Sequence, residues 1–177
     1  MAVLEIRKLG DPVLRAKCKV VKEITPGMVT LVEDMFDTMY DADGVGLAGP
    51  QVGVRKRLCV VDTGIAGEPD EEGNVAYEPD PLLLINPEIL ETSGEQEGQE
   101  GCLSVPGKYG IVKRPYYVKV KAQDINLEEF VVEAEALKAR AILHEMDHLD
   151  GVVYVDVANP GTVHDVGAAD DEEEVEE

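Results

Sequence analysis

Apolar residues recur at three-and-four spacing through Met28, Leu31, Val32, Met35, Phe36, Met39 and Tyr40, the pattern of an amphipathic helix with one face on a core. Thr25 suits the N-cap and Pro26 the first helical position. Asp41-Ala42-Asp43-Gly44 closes the run with a glycine able to take a left-handed exit, so the pattern predicts a helix over 26–42. A second helical run, 134–149, is rich in alanine and leucine. Leu137, Ala141, His144 and His148 fall on one of its stripes, and Ile142, Met146 and Leu149 on another. A helix apolar on more than one face is a central one.

Strand patterns fill the space between. Arg57 to Asp62 reads as a central strand, and Leu82 to Asn86 as a buried one that continues past Pro87 to Glu91. Tyr116 to Ala122 alternates as a half-buried strand and pairs with Leu127–Glu133 across Asp124-Ile125-Asn126. Val152 to Val155 is expected as a last short strand. Residues 63–81, with Gly64, Gly67, Pro69, Gly73, Pro79 and many acids, read as a solvated connection or wide hairpin end. Residues 44–53 are too glycine-rich for a helix and too apolar for a solvated loop, so a buried extended segment is expected there. Together these elements predict an α+β fold: antiparallel β-sheets surrounding the central helix, with the N-terminal helix packed outside. One domain is expected over 1–158. From Asn159 onward the chain reads as an acidic, disordered tail, with His164 a solvated side chain.

Composition narrows the function. The chain has 177 residues, enough for one domain with its own core, and a formal net charge of −21. Such a charge repels nucleic acid and anionic membranes, so neither is expected as a direct partner. The charge reads either as a solubilising surface or as adaptation to high internal salt. Cys18, Cys59 and Cys102 are odd in number and far apart, which suits a reducing compartment. Without a signal pattern at the start or an apolar run long enough for a bilayer, a cytoplasmic protein is expected.

The chemistry concentrates in His144-Glu145-Met146-Asp147-His148. Residues four apart share a helix face, so two imidazoles can bind one metal ion while the adjacent glutamate handles a proton. Taken alone, the pentapeptide reads equally as two solvated histidines on a helix surface. A catalytic site of this kind uses three protein ligands and an open position. Downstream of the helix there is only Asp150, Asp156, His164, Asp165 and the acidic tail, none in a helix of matching character. Cys102, between Gly101 and a turn-forming Leu103-Ser104-Val105-Pro106-Gly107, is the better third ligand, since thiolates bind such metals well. Gly44 and Gly46 allow close backbone approach. Gln51 brings an amide that needs partners, either structural groups or a reacting carbonyl.

Three segments, Gly44-Val45-Gly46-Leu47-Ala48-Gly49-Pro50-Gln51, Glu100-Gly101-Cys102-Leu103-Ser104 and His144-Glu145-Met146-Asp147-His148, resemble in content and order the signature motifs of peptide deformylases. The likeness begins at Gly10-Asp11-Pro12-Val13-Leu14-Arg15 and runs to about Asp156. It implies that Cys102, His144 and His148 bind a divalent metal, Fe(II) in the working enzyme with Zn(II) or Ni(II) as substitutes. It implies further that a metal-bound water attacks the formyl carbon of an N-formylmethionyl peptide with Glu145 as general base and then acid. The metal, the Leu103 N–H and the Gln51 amide would meet the oxyanion. Gly44, Val45, Gly46 and Leu47 would offer backbone to the peptide, Leu137 and Ala141 would line the methionine pocket, and Glu100 would pair with Arg114 behind the cysteine.

The likeness also makes nascent chains the partner, with transient ribosome proximity. Three departures stand out: Gly49 replaces the usual alanine, Val155-Asp156-Val157 lacks an arginine after the aspartate, and the tail is acidic where a basic extension would help docking on ribosomal RNA. The competing readings are a metallopeptidase of other specificity and a non-catalytic peptide-binding relative.

Overall fold

The computed structural model describes residues 2–166. A 3-10 turn at Pro12–Arg15 precedes helix α1, Pro26–Asp41; strand β1, Gly46–Ala48, runs into a second 3-10 turn, Gly49–Val52. Next come β2 (Leu58–Val61), the short pair β3 (Ile65–Ala66) and β4 (Tyr77–Glu78), and the long β5 (Leu82–Ser93). The hairpin strands β6 (Gln96–Cys102) and β7 (Val105–Arg114) lead to β8 (Tyr117–Gln123) and β9 (Glu129–Glu135). Helix α2 (Ala136–Leu149), the short α3 (Tyr154–Val157) and β10 (His164–Asp165) complete the order. β1-β2-β5-β8-β9 form one sheet and β10-β7-β6 a second, every strand pair being antiparallel.

Strand β2 of the five-stranded sheet is covered on both faces, which is why it reads as unbroken Leu-Cys-Val-Val, whereas β8 and β9 alternate. Its Cys59 and Val61 side chains meet Ile142, Met146 and Leu149 of α2, while Leu58 and Val60 meet Met28, Val32, Met35 and Met39 of α1. The predicted arrangement, a central helix with the N-terminal helix outside, is the observed one. Thr25 caps α1 by accepting from the Met28 N–H at 3.2 Å. Pro87 sits inside β5, where the register shifts between Ile85 and Glu88. Asn86, at φ +50°, replaces the lost ladder bonds with its side chain: it accepts from the Val21 N–H and donates to Val21 O, both at 2.8 Å.

Four expectations need correction. The stretch around Glu97–Gly107 and on to Arg114 forms the β6–β7 hairpin, which its glycine and glutamine content hid. Residues 134 and 135 stay in β9, paired with Val118 and Tyr117, so α2 starts at Ala136. Val152–Val155 is no strand; Asp156 accepts the Val153 N–H at 2.9 Å and caps α3, packing Val153 and Tyr154 against Val105 and Val112. The tail boundary at 158 also shifts. Asn159 donates its N–H to Ile111 O, Asn159 and Glu97 are hydrogen-bonded through their side chains, and His164 and Asp165 pair with Tyr109 and Lys108. His164 is exposed as expected, and the rest of the acidic tail lies outside the described residues.

Gly151 follows α2 with φ +76°, and a Cβ there would stand 2.6 Å from the Arg15 backbone oxygen. Gly151→Ala combines left-handed strain of about 1 kcal/mol with a backbone clash. We predict a loss above about 2 kcal/mol, read as a fall in thermal midpoint of several degrees.

Candidate functional site

α2 presents His144 and His148 one turn apart, with ring centroids 5.1 Å from each other. The element facing them is the end of β6. Between Glu100 and Cys102 the β6–β7 register shifts, and this irregularity re-aims the cysteine toward the helix. Cys102 Sγ lies 3.3 Å from His148 Nε2, and one ligand atom from each of Cys102, His144 and His148 falls within 4.8 Å of the others. A tetrahedral ion with bonds of about 2.0–2.3 Å needs donors about 3.3–3.8 Å apart. The donor set therefore fits a divalent metal, as one thiolate and two imidazoles suit iron, zinc or nickel.

A buried carboxylate holds this set in place. Glu100 Oε2 accepts from Arg114 Nε at 2.8 Å and Arg140 Nη1 at 2.7 Å, and Oε1 from Arg114 Nη2 at 2.9 Å and His144 Nδ1 at 2.8 Å. The last bond leaves Nε2 of His144 as the free ring nitrogen. Arg114 also donates to Asp147 Oδ2 at 2.7 Å, a further tie between helix and hairpin beside those of Arg140 and His144 to Glu100. Burial alone would raise the Glu100 pKa, but Arg114 and His144 outweigh it and bring it down to about 2. Burial opposes charge on His144 too; hydrogen bonding to Cys102 and Glu100 prevails and raises its pKa to about 10. On His148 burial, with His144 and Arg114 nearby, lowers the pKa to about 3.

Glu145 lies beside the cluster, its Oε1 3.9 Å from His144 Nε2, and burial raises its pKa to about 7. Its Oε2 has no hydrogen-bond partner among the described residues. Gly46 explains how β1 reaches this carboxylate: a Cβ at 46 would stand 2.6 Å from Glu145 Oε1. A Cβ at Gly44 would likewise meet Leu103 Cδ1 at 2.8 Å. The close approach expected of these glycines is to Glu145 and Leu103.

An open cavity of about 630 Å³ spreads over the cluster. Gly44, Val45, Gly46, Gln51, Cys102, Leu103, Leu137, Ala141, His144 and Glu145 line it, so nearly all the sequence-predicted residues converge. Leu47 departs: its side chain is fully buried in the core beneath α1, so only its backbone, in the edge strand β1, remains near the cleft. Arg140, Asp147 and Ser104 were missed. Arg140 stands four residues before His144 on the histidine stripe, a charged residue on an otherwise inward face, and that spacing was the available signal.

A Cys-His-His donor set with both histidines buried, beside a buried carboxylate under an open cavity, is the arrangement of a metal-assisted hydrolase. The profile of the polypeptide deformylase family matches residues 3–163. A peptide deformylase of Lachnoclostridium phytofermentans is 56% identical over 98% of this chain and 99% of its own length, and one of Agathobacter rectalis is 51% identical over 98% and 100%. Among solved structures, a Legionella pneumophila peptide deformylase superposes with a TM-score of 0.78 at 43% identity, over 90% of this chain and 88% of that one. The chain belongs to the peptide deformylase family. It is an enzyme of that family, a hydrolase that removes the formyl group from the N-terminal formylmethionine of newly made proteins.

The folded pKa of Glu100, about 2, lies below its ordinary 4.5. Its contribution to stability is therefore fully present above about pH 4.5 and is lost as pH falls toward 2. In chelator-treated protein, Glu100→Gln should be the less stable form at pH 7, and its gap to the wild type should close between pH 4.5 and 2 in denaturant melts.

Proposed function

We propose that Cys102, His144 and His148 hold one divalent ion, Fe(II) in the cell with Zn(II) or Ni(II) as substitutes, and that Glu145 is the general base and acid of deformylation. The observation that carries this is the Cys102–His144–His148 donor cluster with the buried, half-unpartnered Glu145 carboxylate beside it. A cation in that position lowers the pKa of water and polarises a carbonyl. The chain's own residues do the rest. Glu145, with a pKa near neutrality, takes the proton of the attacking water as its oxygen adds to the formyl carbon. The carbonyl oxygen, now negative, is met by the Leu103 N–H and the Gln51 amide. Glu145 then gives its proton to the departing nitrogen as the C–N bond breaks, leaving formate and a free methionyl amine.

The unpaired edge of β1 supports backbone pairing of the peptide with Gly44, Val45, Gly46 and Leu47. Leu137 and Ala141, two turns and one turn before His144–Glu145 on α2, line the cavity where the methionine side chain enters. Glu100 and Arg114 brace Cys102 and His144 from behind. The catalytic domain on this reading extends past residue 158 to include the packed residues through 166. We place the reaction in the cytoplasm, where formylated chains are made, with transient ribosome proximity and neither direct nucleic-acid binding nor membrane attachment. The net charge of −21 supports the last two points. No helix among the described residues is long and apolar enough to cross a membrane.

Formate release from formyl-Met-Ala-Ser, set against amide cleavage of unformylated Met-Ala-Ser, tests the reading. Turnover should be confined to the formyl peptide, stop on chelation and return with metal. Equal cleavage of the unformylated peptide would make the enzyme a general metallopeptidase. Glu145→Ala should lower kcat by at least about 100-fold with metal content unchanged by elemental analysis; an unaltered rate would remove Glu145 from the chemistry.

A further inference from the structure

The Gln51 amide is held at three points. Its Oε1 accepts the Ala48 N–H at 2.9 Å, and a backbone N–H can meet only the oxygen end, so this bond settles which end of the amide is which. Its Nε2 donates to Ser104 Oγ at 3.1 Å and to Cys102 Sγ at 3.4 Å. The two amide hydrogens diverge in one plane. With one committed to Ser104, the other faces Cys102 Sγ, which lines the cavity together with Gln51 and His144. Gln51 and Ser104 are both buried, Ser104 completely. Their backbones are tied to the same N-terminal segment: Arg7 N–H donates to Gln51 O at 2.7 Å and Leu9 N–H to Ser104 O at 2.8 Å.

From this geometry we infer that Ser104 is a positioning residue for deformylation: its hydroxyl takes one Gln51 hydrogen and so fixes the plane in which the second is presented to the formyl oxygen. The inference rests on the reading above that the Gln51 amide meets the oxyanion. Preorganised donors stabilise developing charge because they need not reorient as it forms. Without the hydroxyl, the amide keeps its Ala48 bond yet gains freedom to twist. Only the Ala48 bond and the longer one to the Cys102 sulfur then hold the amide, and its plane is no longer fixed. Ser104 lies outside the cavity lining, so its loss leaves substrate binding intact.

A double-mutant cycle on the metal-loaded enzyme tests this, with kcat, KM for formyl-Met-Ala-Ser and metal content read for the wild type, Ser104→Ala, Gln51→Ala and the pair. Gln51→Ala should lower kcat about 100-fold. Ser104→Ala should lower it about tenfold, with KM within about twofold and metal content unchanged. In the Gln51→Ala background, Ser104→Ala should then change nothing, since a residue acting only through Gln51 has nothing left to orient. Ser104→Thr and Ser104→Val, alike in shape and differing in the hydroxyl, give the same comparison if the alanine variant fails to fold. Threonine should be the faster of the two with Gln51 present and equal to valine without it. A Ser104→Ala enzyme at full rate, losses that multiply in the pair, or equal Thr and Val rates with Gln51 present overturn the inference. A full-rate Gln51→Ala enzyme overturns the oxyanion assignment and this inference with it; a slow Gln51→Ala beside a fast Ser104→Ala overturns this inference alone.

Discussion

A single buried carboxylate, Glu100, fixes the relation between the two elements that make the site. It stands on β6, and its partners Arg140 and His144 stand four residues apart on α2, with Arg114 reaching across from β7. A buried carboxylate is costly unless it is paired and hydrogen-bonded, and removing one partner of such a group destabilises by about 3–5 kcal/mol. Here four donor contacts fill its lone pairs. Because two of the donors come from one stripe of α2, the helix cannot rotate or slide against the hairpin without breaking them. Cys102, two residues along and turned by the strand irregularity, is thereby delivered to His148. The Cys102–His144–His148 arrangement depends on this ion network, two of whose members, Glu100 and Arg140, also border the cavity.

The second constraint is space. β1 is the edge of a sheet whose other edge, β9, leads into α2, so the helix returns across the sheet and meets the edge strand from beneath. Only glycines at 44 and 46 let that strand lie against Leu103 and Glu145. Their missing side chains bring the backbone leading into the unpaired edge of β1 directly against the reactive carboxylate and Leu103.

Elements whose periodicity matched their burial were legible in the sequence. α1 and α2 declared themselves by apolar stripes, and β8–β9 by alternation around a turn. The β6–β7 hairpin did not, because its stabilising side chains, Glu100 and Arg114, are polar residues facing inward, which a hydrophobic pattern counts as surface. α3 was misread since Val-Val-Tyr-Val favours a strand locally, while the Asp156 cap and the pocket around Tyr154 decide in favour of a helical turn. The chemical motifs were legible at the level of ligand types, and the Glu100–Arg114 pair only through the resemblance to the family. Arg140 and Asp147 were hidden as ordinary helix charges; their meaning appears only when β6 and β7 are folded over them.

X-ray absorption at the metal edge tests the central claim, that a strand cysteine completes the helix's histidine pair, most directly. Zinc-loaded protein should show one sulfur at about 2.3 Å together with nitrogen or oxygen neighbours at about 2.0–2.1 Å, and the sulfur contribution should vanish in Cys102→Ser. A metal shell without sulfur in the wild-type protein, or a sulfur shell that survives in Cys102→Ser, would contradict it.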